Sequence, residues 1–477
     1  METQLEAPNA AIGFWNSVFN PRSIAVIGKT ERPKGGYIFI TTLKNAQFRG
    51  TVHVVSTDGG GGLGFPVCDS IADLPERMDY AIIAVPARDV PDTVLGLRGK
   101  VAVAHVFSSG FGDLGTDEGR KREDDLRSAA AASGVRIIGP NCLGVYNPAV
   151  GIAYPPGIFP VQKGNIGFIS QSGGTAQSFA WCGENYHYFH SKGVSVGNSA
   201  DLALEDFLEY MVKDPESEII AMYVEGVRRG SRYIELIRSA SKQKPIVVLK
   251  AGRSQAGVTA AASHTGIMAG RAPIWDAAIR QAGGIQVESF DELVETVSAF
   301  TKRRGRPGRR IALVNRGGGE GVIAADLLPR WGLDVPEYTE ATQRALSELI
   351  PSAGTGFKNP LDFAAIGGYP GVFEKVLDII DSDENTDTII YQHHIEFAYL
   401  FSRKYNDYLV DTLISFYEQS RKTLIVVLPL YYSAEVWLEV FKGLTSRGVS
   451  THPAIFGAMR AAVHLAEFEE IREGGRE

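Results

Sequence analysis

The chain has 477 residues, 44% apolar and 22% charged, with 48 Lys+Arg against 55 Asp+Glu and a formal charge of −7. That length suits about three domains of ~150 residues, and neither the charge nor its distribution points to a nucleic-acid partner. No apolar run approaches the roughly 20 residues that span a bilayer. The opening METQLEAPNA has no signal-peptide pattern, and Cys68, Cys142 and Cys182 are too widely spaced for a disulfide scaffold or a zinc site, so the expectation is a cytoplasmic, multidomain protein with no resident metal.

In chain order, short apolar runs alternate with helical patterns. Ser23–Ile27, Val52–Val55, Tyr80–Val85, Val101–Phe107 and Val135–Ile138 lack polar alternation, as strands of a parallel sheet covered on both faces do. They predict a doubly wound α/β domain over residues 11–147. Asn165–Ile169, Gly193–Val196, Ile219–Val224 and Ile246–Leu249 predict a second α/β domain over 148–300. Within it, Leu204, Phe207, Leu208 and Met211 have the spacing of a one-sided helix over Ala203–Val212. Residues 301–310, rich in Gly, Pro and cations, read as a linker. Ile311–Val314, Thr388–Ile390 and Leu424–Leu428 predict a third α/β domain over 306–470.

The first strand of each block runs into a glycine-rich turn. There a helix N-terminus presents unpaired N–H groups and the positive end of its dipole, at the edge where open α/β sheets bind ligands. The first turn runs from Gly28 through Lys29, Arg32 and Lys34 to Gly35. It is not the GxGxxG of dinucleotide folds, and it reads as a cationic phosphate loop or as a solvated loop. The second, Ser170-Gln171-Ser172-Gly173-Gly174-Thr175, reads equally as a cradle for one phosphoryl group or as a Ser N-cap with packing glycines. The third, with glycines at 317, 318, 319 and 321, is an anion site or an interface loop.

His264 stands out among nine histidines. It lies in Ala262-Ser-His-Thr-Gly266, a small-residue segment that follows a predicted buried strand. An imidazole so flanked is a competent nucleophile near neutral pH, although a loop histidine with structural hydrogen bonds fits the same residues. His393, His394 and Glu396 have no spacing that favours a metal. The aromatic run Trp181–His190 suits an acyl pocket for a bulky or aromatic acid, or an aromatic domain contact.

Five stretches carry a family resemblance: Asn20–Gly28, Gly139–Gly144, Gly164–Gly173, Lys244–Arg253 and Ala262–Gly266. In this order they resemble the α subunit of nucleoside-diphosphate-forming acyl-CoA synthetases, relatives of the succinyl-CoA synthetase α subunit with one further flavodoxin-like domain. The resemblance covers about residues 18–360. It implies an N-terminal Rossmann-like CoA-binding domain followed by two flavodoxin-like domains. Gly28, Lys29, Thr30, Lys34 and Gly35 would take the CoA phosphates. Val85, Pro86, Ser109 and Gly110 would line the site, with Asn141 and Cys142 at the thiol end. Ser170, Ser172, Gly173, Gly174 and Thr175 would hold a phosphoryl group, His264 would be transiently phosphorylated, and Glu225 would hydrogen-bond its imidazole.

The same resemblance implies ATP or ADP with Mg²⁺ on a separate ATP-grasp β subunit, a small carboxylic acid as substrate, and a hetero-oligomer such as α2β2. Two other classes compete: a noncatalytic CoA-binding regulatory protein, and an NAD-dependent dehydrogenase with Asp58 on a ribose. The joint presence of Ser172, Glu225 and His264 weighs against the first. The missing GxGxxG weighs against the second.

Overall fold

The computed structural model describes residues 8–156, 162–259, 271–315, 317–349, 357–362 and 371–474. The chain divides into two compact units. The first comprises Met1–Trp181, Phe189–Ala240 and Lys244–Gln286, and the second comprises Cys182–Tyr188, Ser241–Gln243 and Val287–Glu477.

The first unit contains two sheets. One is built from β1 (Ser23–Gly28), β2 (Thr51–Ser56), β3 (Val67–Cys68), β4 (Met78–Ala84), β5 (Val101–Val106) and β6 (Arg136–Ile138), all parallel, in the order β3-β2-β1-β4-β5-β6. Strand order reverses direction between β1 and β4, and such a switch point opens a crevice at the carboxyl ends of the strands. Ile24, Val26, Ile82 and Val103 are buried on one face of the sheet, and Ala25, Ile27, Ile83 and Ala104 on the other. This two-sided burial is why the runs show no alternation.

The other sheet contains β7 (Gly144–Tyr146), β8 (Ile166–Ser170), β9 (His190–Ser195), β10 (Ile219–Val224), β11 (Ile246–Lys250) and β12 (Ile285–Val287). Its order is β12-β11-β10-β8-β9-β7, with β7 antiparallel to β9. The helix Leu204–Lys213 begins one residue inside its predicted start and buries Leu204, Phe207, Leu208 and Met211, the four apolar positions expected. The helix Pro8–Phe19 lays aromatic rings against it: Phe19 stacks 4.7 Å from Tyr210, and Trp15 meets Phe207 edge-on at 5.4 Å.

The second unit holds a parallel sheet of β13 (Ile311–Asn315), β14 (Leu361–Asp362), β15 (Thr388–Gln392), β16 (Thr423–Val427) and β17 (Ser450–His452), in the order β14-β13-β15-β16-β17. The helix Phe290–Thr301 packs on the helix Ile455–Arg472 through Thr296 and His464, 2.9 Å apart, and through an Arg460–Glu292 pair at 3.0 Å.

The predicted linker is irregular in backbone but is not free. Lys302 is buried and donates to Tyr186 O at 2.6 Å, Arg303 pairs with Glu469 at 2.8 Å, and Arg310 pairs with Asp387 at 2.6 Å. Composition marked the segment as irregular, while its cations have partners supplied by distant parts of the chain.

The aromatic run is a packing element. Tyr186 meets Phe441 at 5.2 Å within the second unit. In the first unit His190 is buried among Tyr146, Phe168 and Phe179. No helix among the described residues is long and apolar enough to cross a membrane.

Candidate functional site

The crevice of the first sheet gathers residues that are far apart in the chain. Gly28 ends β1, and a Cβ there would lie 2.6 Å from the carbonyl oxygen of Ala84 at the end of β4. The floor of the crevice therefore requires glycine. The loop that follows leads into the helix Gly35–Asn45, with Lys29, Arg32 and Lys34 exposed around its N-terminus. An exposed cationic rim at a helix start suits a phosphate-rich ligand.

The loop is shaped by Asp58. Its carboxylate accepts from the Thr30 N–H at 2.9 Å, from the Glu31 N–H at 3.3 Å and from the Ser56 hydroxyl at 3.0 Å. Those bonds, the Thr30 N–H foremost, hold its pKa down to about 2. Asp58, a possible ribose ligand on sequence alone, is thus occupied in bracing the loop. Thr30 is buried and directs both its N–H and its hydroxyl inward, the hydroxyl 2.8 Å from that of Ser56. It therefore supports the loop rather than offering a donor to a ligand.

Val85 and Pro86 follow β4, and Ser109 and Gly110 follow β5. The two turns are joined by a hydrogen bond from the Ser108 hydroxyl to Val85 O. Asn141 follows β6, adopts a left-handed conformation (φ 58°) and donates its N–H to Ser108 O at 3.0 Å. Cys142 is turned into the core, 3% exposed, with its sulfur 3.6 Å from Val106 O and Ile138 O. Burial pushes its thiol up to about 12, and its side chain is enclosed in the core, the setting of a structural cysteine.

A valine at Gly28 is expected to cost ~1–3 kcal/mol through overpacking against backbone that cannot retreat. It should also weaken any ligand of this crevice at least about tenfold, readable by calorimetric titration alongside a thermal melt.

The carboxyl edge of the second sheet carries the other cluster. After β8 the chain turns through Gln171 and Ser172 into the helix Gly173–Tyr186. Ser170 and Ser172 lock the turn: Ser170 Oγ donates to Ser172 O at 2.7 Å and accepts from the Ser172 N–H at 3.1 Å. Ser172 Oγ accepts from the Thr175 N–H at 3.2 Å as an N-cap. The N–H groups of Gly173 and Gly174 make no capping bond to a described residue. The serine thus satisfies the third position of the helix, and the first two N–H groups are the ones a helix start leaves over.

Glu225 stands directly after β10, 5% exposed. The Gln171 side chain bridges to it. Gln171 Oε1 accepts from the Glu225 N–H at 2.5 Å and the Gly226 N–H at 3.0 Å, and its Nε2 donates to Gly226 O at 2.9 Å. Lys250, 3% exposed at the end of β11, donates to Glu225 O at 2.7 Å and lies 5.2 Å from the centre of the Trp275 ring. Burial lowers its pKa, against the pull of Glu225. Tyr223, two residues earlier in β10, is pushed up to about 12 by burial and by the neighbouring Glu225 carboxylate.

The Glu225 Oε2 atom is buried and has no hydrogen-bond donor among the described residues. An unsatisfied buried polar group costs about 1–3 kcal/mol, more for a charge. The carboxylate is therefore built to meet a donor.

His264 lies outside the described residues, within 260–270. The chain on either side of that segment is tied together: Arg253 makes a bidentate pair with Asp276 at 2.8 and 2.7 Å, and Gln286 donates to Asp276 at 2.6 Å. Gln171, Lys250 and Asp276 were not singled out from sequence. The available signal was a polar residue set inside or beside an apolar run.

At the third turn, the Asn315 side chain donates across to Gly317 O. Nearby, His394 is buried with Nδ1 2.8 Å from Glu396, while its Nε2 is 3.0 Å from Glu320 but poorly aligned for a hydrogen bond. Among the described residues no group of three or more His, Cys, Asp or Glu could hold a metal ion.

Comparison with known proteins bears on both clusters. The family described as "CoA binding domain" matches residues 22–148, and the "Succinyl-CoA ligase like flavodoxin domain" matches residues 163–300. The α subunit of the ADP-forming acetate–CoA ligase I of Pyrococcus furiosus is 32% identical over 97% of this chain and 99% of its own length. The ADP-forming acetate–CoA ligase I of Archaeoglobus fulgidus is 38% identical over 78% of this chain but only 54% of its own length. The chain thus spans about half of that longer relative. The structure of the dinucleotide forming acetyl-coenzyme A synthetase 1 of Ca. Korarchaeum cryptofilum, in complex with phosphate and ADP, superposes with a TM-score of 0.83 at 27% identity, covering 97% of this chain and 99% of that one. With agreement over nearly the whole length of a curated α subunit, this chain belongs to the family of ADP-forming acetate–CoA ligase α subunits.

Proposed function

We propose that this chain is the α subunit of an NDP-forming acyl-CoA synthetase, acting through a phosphohistidine at His264. In the direction of ATP synthesis, phosphate attacks the acyl-CoA thioester, giving acyl phosphate and free CoA. His264 then takes the phosphoryl group and releases the carboxylic acid, and the phosphohistidine passes it to ADP. Run backwards, the sequence makes acyl-CoA from acid, CoA and ATP.

One observation carries the reading. The buried Glu225 has an oxygen without a donor, and the helix start after β8 has two N–H groups without a capping partner, among the described residues. A carboxylate on the far imidazole nitrogen fixes the tautomer and stabilises the charged phospho-imidazole. Phosphoryl transfer otherwise needs mainly positioning and charge neutralisation, which helix N-termini supply.

CoA occupies the crevice of the first sheet, its phosphates over Lys29, Lys34 and the start of the helix Gly35–Asn45. The nucleotide and its Mg²⁺ belong to a separate ATP-grasp β subunit in a hetero-oligomer. Relatives are named for different acids: acetate, trans-ferulate and 4-hydroxybutyrate. The acid taken here is accordingly a small carboxylic acid, identified by assaying a panel with the partner present.

CoA is expected to raise the melting temperature of the isolated chain and NAD to leave it unchanged. Stabilisation by NAD and not by CoA would overturn the assignment of the first crevice.

A further inference from the structure

The first sheet's CoA crevice and the second sheet's phosphoryl site must act on the same acyl group, so their loops need a fixed relative geometry. Within the first unit several side chains join the two domains, among them Arg136 paired with Asp201 at 2.8 Å and Arg127 donating to Ala200 O at 3.1 Å; the one that reaches the turn after β5 is Asn198, in the loop after β9. It is 2% exposed. Its carboxamide nitrogen uses both hydrogens on carboxylates of the other sheet's domain: Asp113 Oδ1 at 3.0 Å and Glu123 Oε2 at 3.1 Å.

Each of those carboxylates organises the turn after β5. Asp113 accepts from the N–H groups of Gly110 at 3.0 Å and Phe111 at 2.9 Å, and Glu123 accepts from the Gly112 N–H at 3.1 Å. The same loop docks on the turn after β6. Asn198 donates its backbone N–H to Pro140 O at 3.0 Å, and the Ala200 N–H donates to Gly139 O at 2.8 Å. The approach is too close for a side chain at Gly197, where a Cβ would lie 2.2 Å from Pro140 O. Ser199 and Asn141, on the two sides of the contact, both hold left-handed conformations, φ 57° and 58°. Non-glycine residues in that region are costly and persist where the surroundings over-determine them.

We infer that Asn198 is a positioning residue for the thioester half of the reaction: from the second sheet it sets the Gly110–Gly112 turn that lines the CoA crevice, without itself touching a reacting atom. The amide is chemically suited to this role. It donates to two carboxylates at once, which a carboxylate cannot do and a hydroxyl does only singly. The inference rests on the acyl-CoA synthetase reading above.

The test uses Asn198→Asp, which sets a third negative charge against Asp113 and Glu123, with Asn198→Ser as the milder partner. CoA affinity of the full chain is measured by calorimetry. With the ATP-grasp partner added, ATP–ADP exchange reports the phosphohistidine half alone. The expected result is CoA binding weakened at least about tenfold for Asn198→Asp and less for Asn198→Ser, with exchange at the wild-type rate in both; the buried like charge lowers the melting temperature of Asn198→Asp, while that of Asn198→Ser stays within a few degrees of wild type. Unchanged CoA affinity in both variants would overturn the inference. So would a parallel fall of CoA binding, exchange and melting temperature, which marks a merely structural residue. If the wild-type chain itself takes up no CoA, the underlying reading fails and this inference with it, an outcome distinct from a wild type that binds and variants that bind equally.

Discussion

An Asn at position 264, in the full chain assayed with its partner subunit, is expected to abolish acyl-CoA formation, with a loss of at least about a thousandfold. Asparagine keeps a polar side chain of similar length but offers no nucleophilic nitrogen, so the phosphoryl group has no covalent carrier. CoA binding, proposed above to lie around Gly28 and the exposed Lys29 and Lys34, should be untouched. Turnover by coupled thioester assay and CoA affinity by titration separate these two expectations. Retained turnover would mean that phosphate passes directly from acyl phosphate to nucleotide.

The second large effect is expected at Glu225. Glutamine preserves the shape and leaves the Gln171 bridge to the Glu225 N–H intact, because that bridge is made to backbone. What it removes is the negative charge proposed above to face the His264 imidazole. It also replaces an acceptor-only group with one that presents an amide N–H to the same ring nitrogen, favouring the wrong tautomer. Where a carboxylate plays this role beside a catalytic histidine, its amide costs up to about 10⁴ in kcat. A fall of roughly 10²–10⁴-fold is expected here, with CoA affinity unchanged. Glu225→Asp should lie between the two, because the charge is retained and the distance is not. A Glu225→Gln enzyme of wild-type rate would reduce Glu225 to a structural group and leave its unsatisfied oxygen unexplained.

The central strands were legible because they are buried on both faces: Ile24–Ile27, Ile220–Val224 and Ile246–Val248 are almost wholly enclosed, and burial on two sides writes itself as an uninterrupted apolar run. The strands that sequence did not reveal, β3, β7, β12, β14 and β17, are five of the six edge strands. Each has two or three residues, so no run exists to be read. Val67–Cys68 and Leu361–Asp362 become strands only because a neighbour supplies the ladder.

The site divides in the same way. Ser172, Gly173 and Gly174 stood out as candidates because they follow a strand end in a glycine-rich turn, and Glu225, directly after β10, through the family resemblance. Gln171 reaches residues 54 and 55 positions away, and Asn198 reaches 85 and 75 positions back to Asp113 and Glu123. Such partners depend on which strands become neighbours, information that local sequence does not hold. Asp58 and Thr30 show the opposite error. Both carry groups suited to a ligand, yet they bond mainly to each other and to Ser56. Cys142 likewise sits in a conspicuous motif while its thiol points into the core.

The central claim is a covalent phosphoryl group on one imidazole. Its most direct test is to incubate the full chain with its ATP-grasp partner and ATP, quench without acid, and locate any protein-bound phosphate by peptide mass spectrometry with a parallel stability assay. The account predicts one acid-labile, base-stable phosphate at His264 that disappears when ADP is added. Phosphate on another residue, or a competent enzyme that never carries phosphate on this chain, would contradict it.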